Sequence, residues 1–325
     1  MSKIFQALHG TQNEVSDLLP ELIGEGIEGN EPAPHLPAPG EEVDATLQPI
    51  VAPVAAVPAA AMYAPPKESA PAAPPAVAAA PGGARRTPLA LQSSSPLLPF
   101  ENPHAHAAEQ YRILRTKLAH HPKRPKMIVV SSANPGDGKT FTAINLSGVL
   151  SLKGDAKVLL MDADFRRSAI HAQLGLPEGP GLSEVVLGAC QFDDAVIQAE
   201  QFPNLHILVN GKLANMNPSE LLDSPYWRAL CQMTRKRYQY VIVDSPPVAA
   251  VADYELIQMA ADGMVLVVRP EHTNRSACFK AIETIPRDKF LGVILNCAQP
   301  WFLHKAYGYE YNYGYGYASD AAAKR

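Results

Sequence analysis

Cysteine is scarce in this sequence. Cys190, Cys231, Cys278 and Cys297 are the whole complement, and no two stand in a CxxC spacing. That pattern argues against a disulfide scaffold or a zinc ribbon and suits a reducing compartment. Long apolar runs are missing too. No stretch reaches the roughly 18 consecutive apolar residues that a membrane-crossing helix needs, and "MSKIFQALHG" is too short and polar for a secretory signal. The expectation is a cytoplasmic chain that reaches a membrane only through a partner. Positive charge is not in excess: 28 Lys and Arg stand against 32 Asp and Glu, a net charge of −4. The broad basic footprint of general nucleic-acid binding is absent, so no nucleic-acid partner is expected.

Proline is plentiful, and it is concentrated. About half of the 31 prolines precede residue 100, as in "VAPVAAVPAAAMYAPPKESAPAAPPAVAAAPGG". Such a stretch buries too little apolar surface to offset the entropy of ordering it. The first forty-odd residues are acidic, from Glu14 and Asp17 to Glu42 and Asp44. Residues 1–100 therefore read as an acidic, then Pro/Ala-rich, disordered region. Residues 101–300 are long enough for one core-bearing domain, and 301–325 form a tyrosine-rich tail.

Within the central part, short apolar runs alternate with helical patterns. "KMIVVSS", "AKVLLMDAD", "LHILVN", "YVIVDSPP", "GMVLVVRP" and "LGVILN" read as buried strands. Between them lie "TFTAINLSGVLSLKG", "NPSELLDSPYWRALCQMTRKRY", "DYELIQMAA" and "RSACFKAIETI", read as helices. Asn217 and Pro218 give the second of these a strong start. Strands apolar nearly throughout, alternating with helices, indicate an α/β fold: a parallel sheet with helices on both faces. Ligands in such folds bind beyond the carboxyl ends of the strands.

Three strand ends carry candidate chemistry. In "VVSSANPGDGKTFTA" a strand enters a glycine-bearing loop that leads into a helix. Gly136, Asp137 and Gly138 let backbone amides curl around phosphate oxygens, Lys139 adds a full charge, Thr140 is placed to ligate magnesium, and Phe141 completes the expected nucleotide-binding stretch. The strict P-loop pattern opens on glycine, where this chain has Ala133. In "VLLMDADFRR", Asp162 and Asp164 lie two apart at a strand end, so they can share a direction and hold magnesium or take a proton. In "YVIVDSPP", Asp244 ends a run of buried residues, where an unpaired carboxylate would be costly. Beside a P-loop it reads as an acid of the magnesium shell.

These motifs together resemble the bacterial tyrosine kinases (BY-kinases) of polysaccharide export and biosynthesis systems, in the form of a cytoplasmic catalytic subunit. The resemblance runs from about residue 100 to the C-terminus and includes "GLSEVVLG" and "NPSELL". It implies a P-loop NTPase-like fold and an ATP- and Mg²⁺-dependent autokinase, with Lys139, Asp162, Asp164 and Asp244 as catalytic residues. Thr140 and the three aspartates would serve the metal. Which of Asp162 and Asp164 is the base stays open. It also implies a transmembrane activator of the co-polymerase type, other protein substrates, and a ring of copies. A helix like "EQYRILR" joins ring neighbours in that family, and its counterparts here are Glu109, Arg112 and Arg115. The competing relatives are the deviant-Walker ATPases of cell-division placement and plasmid partition, nucleotide switches whose product is free phosphate. Their signature lysine falls at Asn134 in this chain, and they lack a tyrosine row. A third reading is a non-catalytic ATP-binding adaptor.

The tail "YGYEYNYGYGY" places Tyr307, Tyr309, Tyr311, Tyr313, Tyr315 and Tyr317 at every second position. In an extended chain such residues face one side about 7 Å apart. A tail of this kind can offer one hydroxyl after another to a neighbouring active site, which makes these tyrosines the expected phosphoacceptors. The opening "MSKIFQAL" is expected to be a short docking helix.

Overall fold

A computed structural model describes residues 5–7, 84–90, 106–212, 216–248 and 252–298. The tyrosine row and most of the Pro/Ala-rich region lie outside these residues. Nine strands form one sheet: β1 (Phe5–Ala7), β2 (Arg85–Thr87), β3 (Met127–Ser132), β4 (Val158–Asp162), β5 (Ile197–Ala199), β6 (Leu205–Leu208), β7 (Tyr240–Asp244), β8 (Gly263–Val268) and β9 (Phe290–Leu295). The helices are α1 (His106–Ala119), α2 (Lys139–Ser151), α3 (Ile170–Gln173), α4 (Leu182–Val186), α5 (Phe192–Ala195), α6 (Pro218–Leu222), α7 (Pro225–Arg237), α8 (Ala252–Ala260) and α9 (Arg275–Thr284). The strand order is β1-β9-β8-β3-β7-β4-β6-β5-β2. The six strands from β9 to β6 are all parallel to one another, and they are the six read from the sequence.

Alternation along each strand explains why both faces are covered. Val129, Leu159, Met161 and Val243 enter one core with Trp227, Tyr254 and Ile282. Ile128, Val130, Leu160 and Ile242 enter the other with Tyr111, Leu114 and Ile144. Side chains one residue apart point to opposite faces, so a strand buried on both sides must be apolar throughout. α2 lies against the second face, with every residue from Thr142 to Ser151 buried. α1 packs on α2 through Tyr111, Leu114 and Leu118, which are all buried.

Register then places the acids. Asp162 and Asp244 are direct partners across β4 and β7, and Val130 of β3 pairs with Asp244. The P-loop leaves β3, so the three candidate motifs emerge side by side at one end of the sheet.

Three features differ from the sequence reading. The edges are not parallel throughout: β1 runs antiparallel to β9, and β5 antiparallel to β6. Residues 5–7 are therefore strand rather than docking helix. Residues 84–90, grouped by composition with the linker, add edge strand β2, and Leu89 is buried. The Leu89 amide donates to Gln201 Oε1 at 3.0 Å and the Ala90 amide to the Leu174 carbonyl at 3.1 Å. Finally, "NPSELLDSPYWRALCQMTRKRY" is two helices. Ser224 accepts a hydrogen bond from the Trp227 amide at 3.1 Å, and Pro225 takes the first helical position. That is a complete new start signal, and it breaks the run after Leu222. Asn217 caps α6 by accepting from the Ser219 amide at 3.1 Å. No helix among the described residues is long and apolar enough to cross a membrane.

Ser224→Ala removes the cap at this break. It is expected to lower unfolding free energy by about 1 kcal/mol, measured by urea denaturation with an unchanged m-value. A loss below about 0.3 kcal/mol would mean that the cap is not what separates the helices.

Candidate functional site

The phosphate-type loop spans Ala133 to Thr140. Gly136 and Gly138 have φ of 90° and 94°, a region that costs a glycine little and other residues much. Space adds a second reason at Gly138, where a Cβ would collide with the Asn296 side-chain amide. The loop is braced from its own centre. Asp137 is fully buried, and its carboxylate accepts from the Asn134 amide at 2.9 Å, His272 Nδ1 at 2.9 Å and Thr273 Oγ1 at 2.8 Å. Asn296 Nδ2 donates to the Asp137 carbonyl at 2.9 Å. Asp137 was expected among the nucleotide-binding residues. Its carboxylate is committed to this brace, which leaves its backbone amide for a ligand. His272, Thr273 and Asn296 were not foreseen. They lie more than 130 residues from the loop they hold, and nothing in the local pattern marks them.

Beyond the loop, the predicted residues converge. Lys139 Nζ stands 2.6 Å from Asp164 Oδ2 and 3.5 Å from Asp244 Oδ1. Thr140 Oγ1 donates to Asp244 Oδ2 at 2.6 Å. Asp162 is turned onto its own loop. It accepts from the Asp164 amide at 3.2 Å, Ser168 Oγ at 2.9 Å and the Ile170 amide at 3.3 Å. Asp164 Oδ1 accepts from the Arg166 and Arg167 amides at 3.1 and 3.0 Å. Arg166 Nε donates in turn to buried Asp253 at 2.9 Å, and Ser219 Oγ donates to the other oxygen of Asp253 at 2.6 Å. The acidic loop is thereby tied to α8 and α6. Phe141 continues α2, its carbonyl accepting from Asn145 Nδ2 at 2.9 Å.

One ammonium faces three carboxylates, and all are nearly removed from water. Burial pushes Asp244 up to about 7, with Lys139 working against it. Burial likewise pushes Asp162 up to about 6, against the hydrogen bonds from Ser168 and Ile170. For Lys139 burial favours the neutral form, but Asp244, Asp164 and Asp162 outweigh it and hold the proton more tightly than usual. Both directions follow from desolvation opposed by opposite charge.

The cluster suits a magnesium nucleotide. Asp244 Oδ1 is buried without a hydrogen-bond partner, its nearest charge being Lys139 Nζ at 3.5 Å, and a carboxylate oxygen left so loosely matched favours a closer cation. Among the described residues no group of three or more His, Cys, Asp or Glu forms a metal cage by itself. Magnesium typically uses one or two carboxylates and fills its shell with water and substrate phosphates, which fits Asp244 and Thr140 beside a phosphate loop.

Residues 125–288 match the family model described as an AAA domain. The chain is 37% identical over 206 residues to tyrosine-protein kinase YwqD of Bacillus subtilis, covering 62% of this chain and 85% of that protein. The chain belongs to the bacterial tyrosine-kinase family. Two solved structures agree. The chimerical protein CapA2B2 superposes with a TM-score of 0.58 at 32% identity, over 63% of this chain and 91% of its own. The kinase domain of the Escherichia coli tyrosine kinase ETK gives 0.56 at 28% identity, over 61% and 78%.

The crowded acids yield a stability test. Asp162 and Asp244 bind protons more tightly folded than unfolded, so between about pH 4 and 7 the folded state holds the extra protons and these groups lose stability as pH rises. Asp244→Asn removes the larger penalty. The melting temperature of nucleotide-free Asp244→Asn, minus that of the parent, should grow from pH 4 to pH 7 and level off above. Each kcal/mol corresponds to about 2–4 °C. A difference independent of pH would contradict the burial argument.

Proposed function

We propose that the protein is an ATP-dependent protein-tyrosine autokinase that phosphorylates Tyr307, Tyr309, Tyr311, Tyr313, Tyr315 and Tyr317 of a neighbouring copy and serves exopolysaccharide or capsule biosynthesis and export. One observation carries this reading. A P-loop lysine is held between acids from two further strand ends, in a tyrosine-kinase family chain that also carries a row of evenly spaced phenols.

Under this reading the amides of Gly136 to Thr140 and the Lys139 ammonium would hold the phosphates, while Thr140 and Asp244 would hold Mg²⁺. When bound, the ion offsets the charge that builds on the transferring phosphoryl group. Lys139 exchanges its carboxylate partners for phosphate oxygens. That exchange leaves Asp164 Oδ2 without its 2.6 Å partner, in position to orient a tyrosine hydroxyl and take its proton. Asp162, held by three donors, keeps the loop wound so that Asp164 points inward. Asp164→Asn should therefore lower kcat more than Asp162→Asn does.

Assembly follows from α1. Its apolar side is spent on α2, while Glu109 is exposed and pairs with Arg112 at 2.7 Å. Arg115 reaches the Val149 carbonyl at 3.3 Å. These three residues are the proposed contact between copies in a ring. A transmembrane activator of the co-polymerase type, and other protein substrates, complete the reading, with the kinase in the cytoplasm at the membrane.

Lys139→Met protein incubated with Mg-ATP is expected to show no phosphotyrosine by mass spectrometry. Mixed with protein lacking residues 307–317, it should become labelled, because transfer is in trans. Phosphate released without phosphotyrosine would instead indicate a nucleotide switch.

Each phosphotyrosine carries roughly −1.5 to −2 charges, and the row spaces them about 7 Å apart, inside a Debye length of about 8–10 Å. Such a tail is repelled by a site holding Asp162, Asp164 and Asp244. In sedimentation, unmodified protein should run as a large oligomer, the phosphorylated form as a smaller species, and Arg112→Ala as small in either state. Equal sedimentation of both forms at physiological salt would refute this.

A further inference from the structure

Next to the acidic loop lies a cleft of about 170 Å³, opening at the carboxyl ends of β4 and β6. Ser168 and His171 line it with Glu178, Gly179 and residues 209–212. Its size is informative, because a cavity of about 150 Å³ is enough to hold benzene. Val209 is apolar lining, Ser168, His171 and Asn210 supply polar groups for a hydroxyl, and Glu178 adds a carboxylate.

The cleft and the acidic site share residues. Ser168 Oγ, at the cleft wall, is the group that donates to Asp162 Oδ2 at 2.9 Å. Asn210, which also lines the cleft, directs Nδ2 at the Asp162 carbonyl, 3.5 Å away. The cleft therefore begins one side chain beyond Asp162, itself two residues from Asp164.

The walls are also fixed in advance. Glu184, in "GLSEVVLG", accepts from the Gly181 amide at 2.8 Å, the Lys212 amide at 2.8 Å and Ser183 Oγ at 3.0 Å. The Leu182 and Ser183 amides donate to the Val209 and Asn210 carbonyls at 2.8 and 3.0 Å. Gly211 has φ of 85°, and a Cβ there would collide with the Glu184 carboxylate. This segment has no part in the phosphate site. What it does is hold residues 209–212 in one shape.

We propose that this cleft is a second acceptor subsite, which binds the tyrosine ring two residues away from the tyrosine being phosphorylated, on the tail of a second copy. The proposal rests on the reading of the tail as substrate. Spacing carries it. In "YGYEYNYGYGY" residues two apart face one side about 7 Å from each other, so when one phenol lies at the acids its neighbour is brought to the next pocket along the loop. In that extended form Gly308, Glu310, Asn312, Gly314 and Gly316 would face the other way, and none of them carries a ring to fill the cleft. A paired reading would hold each acceptor in register and let the tail advance by two residues per transfer.

The test uses the full chain and synthetic peptides of residues 307–317. In one peptide Tyr311 is the sole tyrosine and the other five are alanine. In a second and a third, tyrosine is restored at 309 or at 313. In a fourth and a fifth, phosphotyrosine takes those places. Binding is read by fluorescence polarisation, and transfer to Tyr311 by mass spectrometry. One restored neighbour should tighten binding and lower KM about tenfold, with kcat little changed. Gly179→Leu, which adds a bulky side chain to a residue lining the cleft, should bring the ratio between single- and double-tyrosine peptides to about one. Gly179 lacks the positive φ of Gly211, and a Cβ there meets only the flexible Arg85 guanidinium at 3.4 Å.

Transfer to the single-tyrosine peptide with no benefit from a neighbour overturns the subsite and leaves the kinase reading intact. A tenfold binding ratio without any transfer supports the subsite and counts against the kinase reading. A gain given by phosphotyrosine but not tyrosine makes the cleft a phosphate site and overturns the proposal. So does a ratio that survives in Gly179→Leu.

Discussion

The buried meeting of Lys139 with Asp164 and Asp244 organises everything around it. An ammonium removed from water needs opposite charge close by, and three carboxylates removed from water need more than one ammonium. The nucleotide-free site is therefore short of positive charge. The sheet makes this arrangement possible, because register across β4 and β7 sets Asp162 beside Asp244. It also maintains it, because the strands beneath are buried on both faces and cannot shift without breaking two cores. A cluster that is costly alone and favourable with a metal and phosphates is a means of coupling ligand to structure.

Much of this was legible in the sequence, for a physical reason. Strands buried on both faces must be apolar nearly end to end, so β3, β4, β6, β7, β8 and β9 stand out as short runs. The acids that end them stand out against that background. Lys139, Thr140, Asp162, Asp164 and Asp244 were found this way, and the structure brings them together. Strands β1, β2 and β5 were not found, since three residues give no period to detect. The break at Pro225 was readable in "DSP" as a second start signal, but a continuous helical pattern on either side concealed it.

The bracing of the site was not legible. Asp137 occupies a loop position where phosphate binding is expected of its neighbours, and sequence assigns it to the same task. Its carboxylate instead answers to His272 and Thr273, and its carbonyl to Asn296. Asp253 likewise looks like a helix-start acid, yet it is buried as the shared acceptor of Arg166 and Ser219. Both are long-range hydrogen-bond choices, made by the fold after its strands are placed. Local pattern records which residues can donate and accept, and topology decides with whom.

The ends of the sheet have a consequence for how copies can meet. A long open edge offers a row of unpaired amides and carbonyls to any passing strand, and such edges invite runaway pairing. Here the six-stranded parallel sheet is closed off on one side by β1 and on the other by β5 and β2, each only three residues long. Little ladder is left for another chain to extend. Copies that assemble are steered away from sheet-to-sheet growth toward contacts between helices and loops, where geometry can be closed and reversed. For copies that assemble reversibly, as proposed, that would be a safeguard against an association they could not undo.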